Sequence, residues 1–155
     1  MSPELITFFT SMIPLTDMKL GIPLGMSLGL SAITAAIFGI AGSLIPSIIF
    51  LKILGPVSDL LRRHSKRLDL FFIKLFAKTR AEHSKNFERY EALFIILFII
   101  IPFPGSGLGA AAIIAFVFGV EYWKTVGLLS LGAIGSGILI TGGISSIIGL
   151  IHLIY

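Results

Sequence analysis

Charge is missing from three long stretches of this chain, and those gaps limit what it can fold into. No Asp, Glu, Lys or Arg lies between Lys19 and Lys52, between Glu91 and Glu121, or after Lys124. A helix that crosses a bilayer needs roughly 20 predominantly apolar residues, and each gap exceeds that length. A shorter apolar run covers Leu5 to Thr16. Only 13% of the 155 residues are charged, against about 25% in a soluble domain. Too few polar side chains exist to cover a globule in water, and a mean hydropathy of +1.01 points to lipid as the solvent. The expected class is an all-α integral membrane protein. The N-terminus has no basic region and no small-residue cleavage site behind an apolar core, so no removable signal peptide is expected.

Composition removes several chemistries. There is no cysteine, hence no disulfide or thiolate metal site. His64, His83 and His152 are scattered and form no metal-ligand spacing, so neither a metal nor a cofactor is expected.

The chain divides into an apolar zone (1–54), a charged zone (55–91) and a second apolar zone (92–155), read together as one membrane domain. Ten of the twelve basic residues, from Lys52 to Arg89, lie in or beside the charged zone, which marks it as cytoplasmic. Anionic headgroups suffice to explain this basic run, and no nucleic-acid partner is expected. Val57, Leu60, Leu61, Leu68, Phe71, Phe72 and Leu75 recur at helical spacing behind Pro56. They predict an amphipathic linker helix, lying at the membrane interface or packed on the cytoplasmic ends of the spans.

Each apolar zone opens with a broken segment. The first break runs from Ile13-Pro14 through Asp17, Lys19 and Pro23 to Gly25, and the second runs from Ile101-Pro102 through Pro104, Gly105, Ser106 and Gly107 to Gly109. Proline removes a backbone donor and glycine admits conformations that other residues avoid. Irregular backbone at membrane depth survives only inside protein or along a water-filled cavity. Residues 3–13 rise about 16 Å as a helix, half of the ~30 Å hydrocarbon thickness, and residues 22–30 are similar. A re-entrant hairpin is predicted, with a second from residues 92–101 and 108–119. With the charged zone inside, the first hairpin enters from outside and the second from inside. Single spans over residues 31–54 and near 125–153 complete an inverted repeat, in which substrate sites lie where the tips meet.

The tips carry suitable chemistry. Asp17 and Lys19 are the only charges between Glu4 and Lys52, and a charge in the bilayer interior costs at least ~2.5–3.5 kcal/mol. Gly105, Ser106 and Gly107 precede a half-helix whose free N–H groups and positive dipole end suit an anion. Lys19 beside that end would complement a phosphate or carboxylate, and Asp17 could carry a proton. The candidate substrate-binding residues are Asp17, Lys19, Pro23, Pro102, Pro104, Gly105, Ser106 and Gly107. The structural alternatives are that Asp17 caps the following helix and Lys19 snorkels to an interface, and that residues 104–107 form a plain interfacial loop. The unbroken segments carry ladders of small residues four apart: Ser31, Ala35, Gly39, Ser43 and Ser47, then Ala133, Gly137, Thr141, Ser145 and Gly149. Such faces let helix backbones approach closely in lipid.

The first break, Asp17-Met18-Lys19-Leu20-Gly21-Ile22-Pro23, resembles the Glu-Leu-Arg-Gly-Ala-Ile-Pro motif of the small multidrug export protein family. The second, Pro102-Phe103-Pro104-Gly105-Ser106-Gly107, is similar to its Pro-x-Pro-Gly-Thr-Gly motif. Asp17 stands where that family usually has Glu and Lys19 where it has Arg, which gives up the bidentate fork that arginine offers to phosphate. The resemblance spans nearly the whole chain and implies multidrug export. The architecture also looks similar to the DedA membrane proteins, linked by resemblance to proton-coupled lipid-phosphate flipping. Their hairpins both carry charge, whereas the second hairpin here carries none.

A multi-pass transporter of the plasma membrane is therefore the leading expectation. Its expected partners are membrane lipids, a proton or sodium ion for coupling, and a small amphiphilic or lipid-phosphate substrate. A non-transporting scaffold or assembly protein is the alternative and would not need the Asp17–Lys19 pair. An intramembrane serine hydrolase is disfavoured. His152 lies sixteen residues beyond Ser136, about 24 Å along a helix, and no GxSxG elbow surrounds Ser106. Two spans make a thin wall around a polar site, so a homodimer is expected.

Overall fold

The structure, a computed structural model, describes residues 1–13, 16–64, 85–101 and 107–154, without the side chains of 59–64, 85–89 and 151–154. All regular structure among these residues is helical: α1 (Pro3–Met12), α2 (Asp17–Ser27), α3 (Ala32–His64), α4 (Lys85–Ile100), α5 (Leu108–Phe118) and α6 (Tyr122–Ile154). α1, α2 and α3 pack on one another, as do α4, α5 and α6. Across the two sets α3 meets α5 and α6, and α2 meets α6.

Two helices are long and apolar enough to cross a membrane, over Ala32–Ser58 in α3 and Tyr122–Leu150 in α6. A core helix of a soluble protein could match them in length, but it would be mostly buried. Only 28% and 22% of these windows are buried inside the protein. Ile33 and Ile37 on α3, and Leu131 and Ile138 on α6, lie open on the surface. An apolar surface of this extent is compatible with lipid and not with water, so the chain is a membrane protein.

The helix ends explain why the chain turns where it does. After α2, the Leu30 N–H reaches back to the Gly25 carbonyl (3.1 Å), with Gly29 in the left-handed region at φ 92°. After α5, the Val120 N–H reaches the Ala115 carbonyl (3.0 Å), with Gly119 at φ 75°. Both are Schellman-type ends, which favour glycine at the left-handed position. Ser31 then starts α3 by accepting the Thr34 N–H on its hydroxyl (3.2 Å).

Packing is governed by small residues. On α2, Gly21 lies against Ser11 of α1 and Gly25 against Thr7, so α1 and α2 run antiparallel as a hairpin. A methyl group on Gly39 of α3 would lie 2.5 Å from Ile22, and the Ser43 hydroxyl donates to the Ser11 carbonyl (3.1 Å). In the second set Phe94 stacks near Phe118 (ring centroids 6.4 Å apart), which makes α4 and α5 an antiparallel hairpin. Gly132 and Gly135 of α6 abut Ile99 and Ile100 of α4. Gly137 abuts Ile40 of α3, joining the sets.

The second and third helices of the two sets share a burial pattern, which the first helices do not. Shifting Ala32 onto Tyr122 carries the buried Gly21, Ile22, Gly25, Ala35, Gly39, Gly42 and Ser43 onto the buried Ala111, Ala112, Ala115, Thr125, Leu129, Gly132 and Ala133. The same shift carries Gly29 onto Gly119. The sequence could not reveal this, because small, bulky and polar side chains exchange freely within the matched pairs.

Three expectations need correction. The return helix of the first hairpin begins at Asp17, not Ile22, and runs through Pro23. Only the region around residues 13–16 breaks the chain, because buried Ile22 and Gly25 hold the turn around Pro23 in helical form by packing. No new helix starts at Pro56 either, since α3 continues through Gly55 and Pro56 to His64. The predicted linker helix beyond residue 64 lies outside the described residues. Finally, the second ladder is only half a contact. Ala133 and Gly137 are buried and Thr141 partly so, but Ser145 and Gly149 are exposed, because α6 outruns the elements that cover it.

Candidate functional site

Asp17 starts α2 with φ 46°, a left-handed conformation that aspartate and asparagine tolerate better than most residues. The turn is closed by the Thr16 hydroxyl, which donates to the Thr10 carbonyl, and by the Asp17 N–H, which donates to the Ile13 carbonyl (2.9 Å). The strained backbone swings the carboxyl group away from α1 and into the protein, where Asp17 is only 6% exposed.

Its two oxygens do different things. Oδ1 accepts the N–H of the next residue, Met18 (2.8 Å). Oδ2 accepts the N–H of Leu108 (3.3 Å), the first residue of α5. The N-cap of α5, Gly107, has no side chain to supply this acceptor, so Asp17 caps α5 from the other hairpin. Lys19, two residues on, sends its Nζ to the Ile101 carbonyl (3.3 Å), just past the end of α4. A carboxylate thus meets the positive end of one half-length helix, and an ammonium group meets the negative end of its neighbour. Both arrangements are favoured by the helix dipole.

The sequence-based expectation assigned the α5 end to an external anion with Lys19 beside it. Asp17 itself occupies that end, and Lys19 serves α4. Sequence spacing could not separate these, because the outcome depends on the left-handed φ at Asp17. The capping alternative is met only in part: Asp17 bonds the Met18 N–H of its own helix while capping α5 as well.

Both tips lie level with the middle of the long helices. In the last turn before the first tip, Ser11 bonds Ser43, close to the centre of Ala32–Ser58. At the second tip Ile100 abuts Gly135, beside the centre of Tyr122–Leu150. Of the candidate residues, Asp17, Lys19 and the buried Gly107 are brought together. Pro23 lies one turn along α2 from Lys19, whose carbonyl it cannot serve as a donor. Pro102, Pro104, Gly105 and Ser106 lie outside the described residues.

Sequence reading missed Ser136 as part of this region, having weighed it only as a hydrolase nucleophile. It is completely buried, and its hydroxyl has no hydrogen-bond partner among the described residues.

Fold and site together define a helical membrane protein with a charged centre built at two helix breaks. The chain belongs to a known family of that kind: the model described as "Putative small multi-drug export protein" matches residues 17–139. The match begins at Asp17, just after the first tip, spans the second, and ends on α6 just beyond Ser136. No curated protein and no solved structure matches the chain.

Proposed function

We propose that the chain is a small ion-coupled exporter of the plasma membrane, and not an enzyme. It moves an anionic or amphiphilic substrate, lipid phosphates included, through the point where the two tips meet. The hairpins α1–α2 and α4–α5 are re-entrant and enter from opposite faces, and the two three-helix sets form an inverted repeat. Matched burial, matched Schellman ends and half-length hairpins support that architecture.

The observation that carries the function is the hydrogen bond from the Leu108 N–H to the Asp17 carboxylate. A half-helix N-terminus is an anion site, and here a carboxylate of the chain occupies it. A substrate anion competes with that carboxylate for the same N–H groups. Protonation of Asp17 weakens its hold and yields the end of α5 to the substrate, with Lys19 close by as counter-charge. Binding of the anion and of the proton are thereby linked at one side chain. Keeping two charges at mid-membrane costs several kcal/mol, against a return of about 1 kcal/mol for each helix-end contact.

The test is flux in reconstituted vesicles with a pH gradient. Transport of a short-chain lipid phosphate or organic anion that follows the pH gradient, and becomes indifferent to it in Asp17→Asn, supports the reading. Dependence on a sodium gradient instead would reassign the coupling ion. No flux of any anionic or amphiphilic substrate would remove the transporter reading and leave the scaffold.

A further inference from the structure

The hydroxyls on the long helices show how this protein treats a polar group in an apolar setting. Ser47 donates to the Ser43 carbonyl at 2.7 Å, Thr125 to Glu121 at 3.0 Å, Ser130 to Val126 at 2.8 Å, Thr141 to Gly137 at 2.7 Å and Ser146 to Gly142 at 2.8 Å. Each turns back onto the carbonyl four residues earlier, the usual refuge of a helical hydroxyl. Ser136 does not. Its hydroxyl is fully buried, makes no bond back to the Gly132 carbonyl, and finds no partner among the described residues. A buried polar group without a partner is costly, so one that persists calls for an explanation.

Ser11 is the other buried hydroxyl without a partner, but packing accounts for it. Its oxygen fills the notch over Gly21, where a methyl group could not fit. Ser136 is not what lies nearest any glycine of α2 or α3. Its location follows from its neighbours. Gly135 abuts Ile100, at the end of α4, one residue before the carbonyl that Lys19 holds. Gly137 abuts Ile40 of α3 and would approach Ile22 of α2 to 4.0 Å, one turn along from Lys19. Residue 136 therefore faces the space between α4 on one side and α2 and α3 on the other, level with both tips. It is also the central residue of the apolar stretch Tyr122–Leu150.

We propose that Ser136 is a third substrate-binding group, whose hydroxyl donates a hydrogen bond to an anionic phosphate oxygen held beside Asp17, Lys19 and the first turn of α5. This rests on the transporter reading above and adds to it a neutral donor on a long helix, opposite the charged pair. A hydroxyl can follow the anion as Asp17 lets go of α5, since its donor rotates without moving the helix. The oxygen can come from free phosphate or from a lipid headgroup.

Calorimetric binding of inorganic phosphate and of dihexanoyl phosphatidic acid to the detergent-solubilised full chain tests this, alongside the melting temperature without ligand. Ser136→Ala should bind about tenfold more weakly than wild type, with an unchanged or higher melting temperature. Ser136→Thr keeps the donor and should retain most of the affinity, and Ser130→Ala should bind like wild type. Binding of both probes supports the assignment, and binding of phosphatidic acid alone supports it with a lipid headgroup as the source. Undiminished binding by Ser136→Ala, with transport intact in wild type, overturns this inference and leaves the transporter reading standing. A melting temperature several degrees lower in Ser136→Ala also overturns it, since the hydroxyl would then be holding the protein together. Wild type binding neither probe overturns the anionic-substrate reading and this inference with it.

Discussion

Gly42 stands where α3 crosses α1, and Gly42→Ala should be among the most damaging single-methyl changes in the protein. The added carbon would overlap the Phe8 carbonyl oxygen and lie 3.0 Å from the Ser11 Cβ. A side chain can rotate away from such a clash, but a helix carbonyl cannot, so the two helices must separate. Overpacking costs about 1–3 kcal/mol, and an immovable neighbour puts this case near 3. Replacing glycine in a helix returns about 1 kcal/mol through propensity. The net is a loss of about 2 kcal/mol, roughly thirtyfold in the folding equilibrium. Gly142→Ala on α6 is the control, because nothing lies within 4 Å of the added carbon. It should gain up to about 1 kcal/mol. Titration of dodecyl sulfate into dodecyl maltoside micelles, followed by circular dichroism, measures both. Equal stability of the two variants would refute the packing of α1 on α3.

The ladders predict unequal results along α6. Gly137→Leu should destabilise by at least 2 kcal/mol, since its first carbon already meets Ile40 at 2.7 Å, whereas Gly149→Leu should stay within about 0.5 kcal/mol in the same titration. Single cysteines at Ser2 and Ser65 should label from opposite faces of the membrane, with Ser65 cytoplasmic; labelling from one face would break the inverted repeat. Asp17→Asn keeps one of the two acceptor oxygens, which can face the Leu108 N–H, and a residue suited to the left-handed backbone, so it should fold with a loss of no more than about 1 kcal/mol for the Met18 contact. Asp17→Leu strains that backbone and deprives the N–H of its acceptor, and should cost about 2–3 kcal/mol.

Much of this fold is written in the sequence at low resolution. The gaps in charge give the two long helices, and the proline- and glycine-rich stretches give the position of both tips. The bounds of α5 come out within one residue because Gly107 and Gly119 flank an unbroken apolar run. Pro23 and Pro56 misled because local propensity argues for a break at each, while packing around Ile22 and Gly25, and the continuity of α3, decide otherwise. The site was legible as a pair of charges at a broken turn, and its wiring was not. That Asp17 reaches α5 and Lys19 reaches Ile101 depends on one φ angle and on how two distant hairpins meet. Ser136 did not stand out in the sequence because serine is ordinary in a membrane helix; a fully buried hydroxyl without a partner among the described residues, at the level of both helix breaks, is a property of the fold.

The central claim is that Asp17 and Lys19 exist for transport. It is tested most directly by measuring substrate flux and thermal stability on one preparation of the double variant Asp17→Asn, Lys19→Met. Asparagine still accepts the Leu108 N–H, and an apolar pair is no costlier to bury than an ionic one. The account predicts a melting temperature equal to or above that of wild type, normal expression, and no flux. A collapsed fold, or flux that persists in a stable double variant, would contradict it.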